Sequence, residues 1–359
     1  MCGVYISWPF CSQKCTFCNF ASGVRPADLE ARYRTALLAE LAATTWNFVP
    51  DTVFLGGGTP SLMPATELAA ILAGVPGRPW REATIECAPG GLTREKIEGW
   101  RSAGINRVSL GVQSFVDSEL RRTGRRHTAA VVQQEIELLR DSGIDNFNVD
   151  LIAGLPGQTH ASWLQSLACV KRLDPPHVSV YMFEVDADSN LGSEMLLGGT
   201  RYSAADVPSE ELTAELYEAA ADALAAMGTP RYEISNFAKP GWESAHNLKY
   251  WQRQPYLGFG ADAHSFDGTW RWQNAEDAAD YLQQQTPQRT LAREAEERFF
   301  LGLRLAGGVR PNEAEWHAKS ATFDRFLAEG LLQKRGDWLS LTPRGILFSN
   351  EVFQEFLES

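Results

Sequence analysis

Long apolar runs, an excess of basic residues and an even spread of cysteines are all absent from this chain of 359 residues. No stretch approaches the ~18 consecutive apolar residues that mark a membrane span, so none is expected. The N-terminus has no basic segment ahead of an apolar core and meets its first clustered cysteine by Cys11, which argues against a secretory signal. Lys and Arg number 33 against 45 Asp and Glu, a net charge of −12. That deficit argues against nucleic acid as a partner and against broad attraction to an anionic membrane. Peripheral membrane association and a homodimer both stay open. Of the six cysteines, Cys2, Cys87 and Cys169 are scattered and the other three are bunched. That is not the spacing of a disulfide framework. It suits a reducing compartment, the cytoplasm, and a metal site.

What remains is the composition of an ordinary globular protein, 44% hydrophobic and 22% charged, long enough for two domains. Its organising stretch is Cys11 to Phe20, CSQKCTFCNF, directly after an apolar run, Val4 to Phe10, that reads as a strand. Cys11, Cys15 and Cys18 offer soft thiolates close enough to hold one metal centre. A [4Fe–4S] cluster normally takes four cysteines, so three leave one iron open for chemistry. Structural zinc is the other reading, with its fourth ligand elsewhere and Cys2 the candidate.

Strand-like and helix-like segments alternate through the first half. Strands are expected at Thr52–Leu55, Ala83–Cys87, Arg107–Val112, Asn146–Ile152 and His177–Phe183. Helices are expected over Asp28–Thr45, Ala65–Ala73, Thr93–Ser102, Thr128–Ser142 and Ala161–Leu173. Six such units make an α/β protein, a partial (β/α)6 barrel, two units short of a closed eight-stranded one. This barrel is assigned residues 1–200, ending in a polar connection over Asp186–Ser203. Residues 201–290 hold a long helix, Pro208–Met227, and an aromatic-rich segment. Residues 291–359 read as helices with a small hairpin, Leu331–Lys334 and Trp338–Leu341, an α+β, winged-helix-like domain. Its nine basic and eleven acidic residues disfavour a nucleic-acid role.

Ligands of parallel α/β folds bind at the carboxyl ends of the strands. There the chain places Cys11, then Gly56-Gly57-Gly58-Thr59-Pro60, then Glu86, Gln113 and Asp150, the last just before Gly154-Leu155-Pro156-Gly157. The three glycines let backbone amides approach a charged group. Glu86 and Asp150 are acceptors for an ammonium or ribose hydroxyls. Arg125 suits a carboxylate, with Arg121, Arg122 and Arg126 as crowding alternatives.

The cysteine spacing resembles the signature of the radical SAM superfamily. Tyr5 to Cys11, Gly56 to Pro60, Gly111 to Phe115, Asp150 to Ile152 and Gly258 to His264 resemble its oxygen-independent coproporphyrinogen oxidase family, nearly end to end. The resemblance implies a radical SAM barrel, a [4Fe–4S] cluster on Cys11, Cys15 and Cys18, and S-adenosylmethionine (SAM) chelated by the open iron. It implies SAM contacts at Tyr5, Gly57, Gly58, Thr59, Glu86, Gln113, Arg125 and Asp150. Two further positions fall on Glu184 and His264, where the family usually has small or apolar residues. Cys87-Ala88-Pro89 departs from the family's Ala-Asn-Pro.

Two features separate the branches of that family. Its oxidases carry a fourth cysteine where this chain has Phe20, and a long extension where only ten residues precede Cys11. Its heme chaperone branch carries HNxxYW, here His246-Asn247-Leu248-Lys249-Tyr250-Trp251. The resemblance thus implies a protein that binds heme and delivers it to heme-requiring enzymes of the respiratory chain. The alternative is an enzyme that oxidatively decarboxylates coproporphyrinogen III. His246 is the candidate axial ligand, or else a brace for the loop, with Asn247, Tyr250 and Trp251 beside it. Residues 231–253 carry Arg231, Lys239, Lys249 and Arg253 against Glu233 and Glu243, a local excess that suits heme propionates.

Overall fold

The first six strands are buried on both faces, as in a parallel sheet, though in the third to sixth polar residues alternate with apolar ones. In the computed structural model, which describes residues 1–284 and 286–357, they are β1 (Cys2–Trp8), β2 (Pro50–Gly57), β3 (Glu82–Cys87), β4 (Arg107–Gln113), β5 (Phe147–Ala153) and β6 (His177–Met182). Each pairs in parallel with the next in sequence. Parallel neighbours need crossovers. Helices supply them at Ala27–Ala43, Ala65–Ala73, Arg94–Ser102, Ala129–Asp141 and His160–Leu173. Their buried stripes, such as Tyr33, Leu37 and Leu41, join one core with Val4, Ile6, Val53 and Leu55. Thr93 caps its helix by accepting from the Lys96 amide, as the sequence predicts.

The aromatic-rich segment goes further than its sequence suggests, because it joins this sheet. β7 (Asn236–Ala238) runs antiparallel along β6, and β8 (Tyr256–Phe259) lies parallel to β1 on its free side. β9 (His264–Phe266), β10 (Trp270–Gln273) and β11 (Thr290–Leu291) continue outward antiparallel. The result is an open, eleven-stranded partial barrel with β11 and β7 at its edges. These added strands have two to four residues, too few for an alternating pattern to register. The stretch expected as a polar connection also holds regular structure: a helix, Asn190–Leu196, capped by Ser189, and a 3-10 segment, Arg201–Asp206.

The C-terminal residues pack helices Glu294–Gly302 and Glu313–Ala328 around Phe299, Phe323 and Phe356, whose ring centroids lie 5.0–6.0 Å apart. The hairpin β12 (Leu332–Arg335) and β13 (Trp338–Leu341) follows, then two short helices, in a winged-helix-like order. Gln285, Glu358 and Ser359, within the expected second and third segments, lie outside the described residues.

Tyr33 joins the first helix to both sides of the barrel mouth. Its hydroxyl donates to the Ser7 carbonyl (2.9 Å) and accepts from the Ala261 amide (2.8 Å). Tyr33→Phe strands both buried partners, so urea unfolding is expected to show a loss of about 1–3 kcal/mol. An unchanged midpoint would mean that neither bond contributes.

Candidate functional site

The cysteine loop leaves β1 and is pinned on every side. The Cys11 amide donates to Gly23 O (2.9 Å) and the Gly23 amide to Pro9 O (3.0 Å), closing its base. Thr16 N donates to Thr123 O, and Gln13 Nε2 to Gly124 O, both beyond β4. Asn19 Nδ2 donates to Asp186 Oδ2 and Leu191 N to Thr16 O, both beyond β6. Cys11, Cys15 and Cys18 are half-buried free thiols. Burial raises the Cys15 thiol above its ordinary range, opposed by the nearby Arg125 guanidinium.

Among the described residues no three thiol, imidazole or carboxylate groups converge as the ligands of a single ion must. Cys2 is no fourth ligand: it opens β1, whereas Cys11 lies beyond the strand's other end. At ~3.3 Å per residue, that separates them by roughly 20 Å. The Cys2 thiol is pushed up to about 12, chiefly by burial. Three thiols on one clamped loop fit a cluster, where each thiolate takes a separate iron, better than they fit zinc.

The glycine run proves to be an anchor. Gly57 N donates to Glu86 Oε2 (3.0 Å), Gly58 N to Trp8 O (2.9 Å) and Thr59 N to Phe10 O (2.9 Å). The amides of Gly57, Gly58 and Thr59 are thus taken within the protein, two of them among the glycine amides expected to face a charged ligand. Gly57 has φ +104°, open only to glycine at little cost. A Cβ on Gly58 would lie 2.7–2.9 Å from Trp8 O, Phe10 O and Phe10 N. Thr59 adds a contact, its Oγ1 lying 3.5 Å from Cys11 Sγ.

Of the remaining rim residues, Glu86 and Gln113 lie at the carboxyl ends of β3 and β4, Arg125 beyond β4 and Asp150 within β5. Glu86 is pushed up to about 8 by burial and then by Asp150, against the Gly57 amide. Asp150 is also raised, mainly by burial, and accepts from Asn148 Nδ2 (2.6 Å). Gln113 has φ +70°, a backbone strain that tends to collect at functional sites. A Cβ on Gly111 would meet Gln113 Nε2 at 3.1 Å and Arg125 Nη2 at 3.2 Å, so both side chains arch over that glycine. Arg125 Nε is buried without a partner, while Arg121, Arg122 and Arg126 are exposed. That selects Arg125 from its crowd. Glu184, beyond β6, is exposed; like Gly58, Thr59, Gln113, Arg125 and Asp150 it does not line the cavity that Tyr5, Gly57, Glu86 and His264 line.

This cavity has a volume of about 750 Å³. Besides those four residues its wall includes Phe20, Tyr250, Trp251, Tyr256, Arg271, Glu297, Phe300 and Leu301. Sequence reasoning missed Tyr256, Arg271 and the residues of helix Glu294–Gly302; no motif marks that helix, and only the fold brings it here. Arg271 binds Glu297 in a fork (2.5 and 2.7 Å) and donates to the Tyr256 hydroxyl (3.1 Å).

The HNxxYW residues lie on one short helix, Ala245–Trp251, and divide their roles. His246 is fully buried, and both its nitrogens are engaged, Nδ1 with Thr52 Oγ1 (2.9 Å) and Nε2 with the Tyr250 hydroxyl (2.8 Å). Burial, with Lys249 and Arg107 nearby, lowers it to about 3, so it is neutral. It is a brace and not an exposed axial ligand. Asn247 faces a separate polar recess of about 50 Å³ with Asp150 and Arg107. The expected propionate-binding charges are occupied: Lys239 pairs with Asp174, Lys249 with Asp51, and Arg253 with Glu294 and Glu297. Arg231 is half-buried near Glu233.

A family model for the radical SAM superfamily matches residues 5–170. The heme chaperone HemW of Bacillus subtilis strain 168 is 34% identical over 99% of both chains. That of Escherichia coli K12 is 30% identical over 99% of this chain and 97% of its own. The structure of coproporphyrinogen III oxidase (HemN) from Escherichia coli, at 21% identity, superposes with a TM-score of 0.81 over 99% of this chain and 89% of its own, a likeness of fold. The chain belongs to the radical SAM superfamily, in the coproporphyrinogen oxidase-like family and its HemW branch. Membership implies a [4Fe–4S] cluster and SAM.

Anaerobically reconstituted protein is expected to hold about four irons and four sulfides per chain. Changing Cys11, Cys15 and Cys18 together to Ala should abolish this, and Cys2→Ala should not. Gly58→Ala should lower retention by displacing the loop base. Stoichiometric zinc that resists replacement would contradict the cluster assignment.

Proposed function

We propose that this protein is a heme chaperone of the radical SAM type. Cys11, Cys15 and Cys18 hold the cluster; Tyr5, Gly57, Gly58, Thr59, Glu86, Gln113, Arg125, Asp150 and His264 form the surroundings of SAM. Heme enters the cavity and passes to heme-requiring enzymes of the respiratory chain, in the cytoplasm or at a membrane face. The observation that carries this reading is a cavity of about 750 Å³ with the flat side chains Tyr250, Trp251, Tyr256 and Phe300 in its wall. Its size is that of a small-ligand site, and aromatic faces suit a porphyrin plane. The relatives' name, heme chaperone, agrees with it.

When bound, the cluster and SAM supply one-electron chemistry, which in the oxidase branch acts on porphyrinogen propionates. The residues here prepare a polar end and an apolar end of one chamber. Glu86, in the chamber wall, is suited to a cationic or hydroxyl group, and Arg125, outside that wall with an unpartnered buried Nε, to a carboxylate. Phe20, 63% exposed, stands at the mouth where the oxidases have a cysteine.

SAM binding should release a proton. Glu86 titrates near 8, so it is mostly protonated at pH 7, and a cationic ligand group favours its carboxylate. Affinity should therefore climb as pH rises towards about 8 and then level off. Calorimetry at pH 7 in two buffers of different ionisation enthalpy should detect the release, and it should vanish in Glu86→Gln. Heats independent of buffer would remove Glu86 from the SAM contacts.

Reconstituted protein given SAM, a reductant and coproporphyrinogen III should form no protoporphyrinogen above background. The same preparation should shift the Soret band of added heme and pass heme to an apo heme enzyme. His246→Ala should weaken heme binding only by loosening Tyr250, while Trp251→Ala removes cavity wall directly and should cost about tenfold or more, the scale of one buried aromatic contact. Robust decarboxylation would overturn the chaperone reading in favour of the oxidase.

A further inference from the structure

The ends of the cavity assigned to SAM and to heme have no wall between them. Tyr5, Gly57 and Glu86 at the rim and Tyr250, Trp251 and Phe300 at the aromatic end line one continuous space. The junction is intimate: burial raises the Tyr250 hydroxyl well above its ordinary range, and Tyr256, Tyr5 and Glu86 beside it raise it further. At about 750 Å³ the space lies within the 300–1,000 Å³ usual for one small ligand. Its far wall is set by helix Glu294–Gly302, which is tied down by the forked Arg271–Glu297 pair (2.5 and 2.7 Å). Arg304, just beyond that helix, lies over the Trp251 ring at 4.3 Å, holding the same wall a second time. The chamber is therefore not free to widen for a second occupant without breaking these contacts.

We propose that SAM and heme exclude each other from this one chamber, so that SAM binding at the rim end, on Tyr5, Gly57 and Glu86, displaces heme from the aromatic end. The proposal rests on the chaperone reading above and gives SAM a role as the release signal. No bond is made or broken in this step; the energy of release is the difference in binding between the two ligands.

The test is a Soret titration of cluster-reconstituted protein with heme, without SAM and with SAM at ten times its own dissociation constant. Exclusion predicts an apparent heme dissociation constant raised about tenfold, and SAM binding weakened reciprocally by heme in calorimetry. Phe300→Ala, which enlarges the aromatic end, should shrink that factor towards one. Arg271→Lys, which replaces the fork by a point charge, should reduce it in the same direction. Heme binding indifferent to SAM would overturn the proposal and leave the chaperone reading intact. Antagonism undiminished in both variants would place its cause outside the chamber and overturn it as well. No Soret shift under either condition would remove the chaperone reading, and this inference with it.

Discussion

Everything at this site depends on how closely the end of β2 lies on the end of β1. Gly58 sits where a single added carbon would collide with two carbonyls and an amide of β1's exit. Its own amide and that of Thr59 hold those carbonyls at 2.9 Å. This fixes the direction in which the chain leaves β1, and so the position of Cys11. Gly57, one residue earlier, turns its amide to Glu86 and ties β3 to the same point. A motif that looks like a ligand cradle is therefore a joint, and the ligand groups are the side chains that the joint positions.

The same logic governs the helix Ala245–Trp251. Residues four apart share a helix face, so His246 and Tyr250 form one pair and Asn247 and Trp251 another. A neutral imidazole has one donor and one acceptor, and His246 uses them on Thr52 and Tyr250. The helix start is fixed by Glu82, whose carboxylate accepts from Ser244 Oγ and the Ala245 and His246 amides. With its base bound to β2 and β3, the helix can offer only its far end, Tyr250 and Trp251, to the cavity. His246 matters here as a neutral strut, and burial keeps it neutral across the physiological range.

The six parallel strands were legible because short strand-like segments alternate regularly with amphipathic helical ones along the first half of the chain. The cysteine spacing was legible because three soft ligands so close together have few other uses. The strands β7 to β11 were not, since residues such as Tyr256–Phe259 form a strand only because β1 offers a free edge. Nor was the fate of charges. Lys249 looks like a free cation in sequence, yet it is buried against Asp51 at 2.7 Å, a residue about two hundred positions away. Spacing reports which groups exist, and only the fold reports which of them are already neutralised.

That distinction bears on what can hold a porphyrin here. Two carboxylates on a flat apolar ring would ordinarily call for free guanidinium or ammonium groups. In the chamber wall Arg271 is committed to Glu297 and Tyr256, and Arg253, behind Glu297, to Glu294 and Glu297. A strong carboxylate clamp would thus require breaking a paired, partly buried contact, which costs more than an exposed pair returns. The grip on such a ligand must come mainly from aromatic and apolar area. Contact of that kind depends on the placement of the wall that provides it, and the Arg271–Glu297 fork is what places the wall. The ligand contact such a chamber can offer is therefore only as well defined as the seating of that helix.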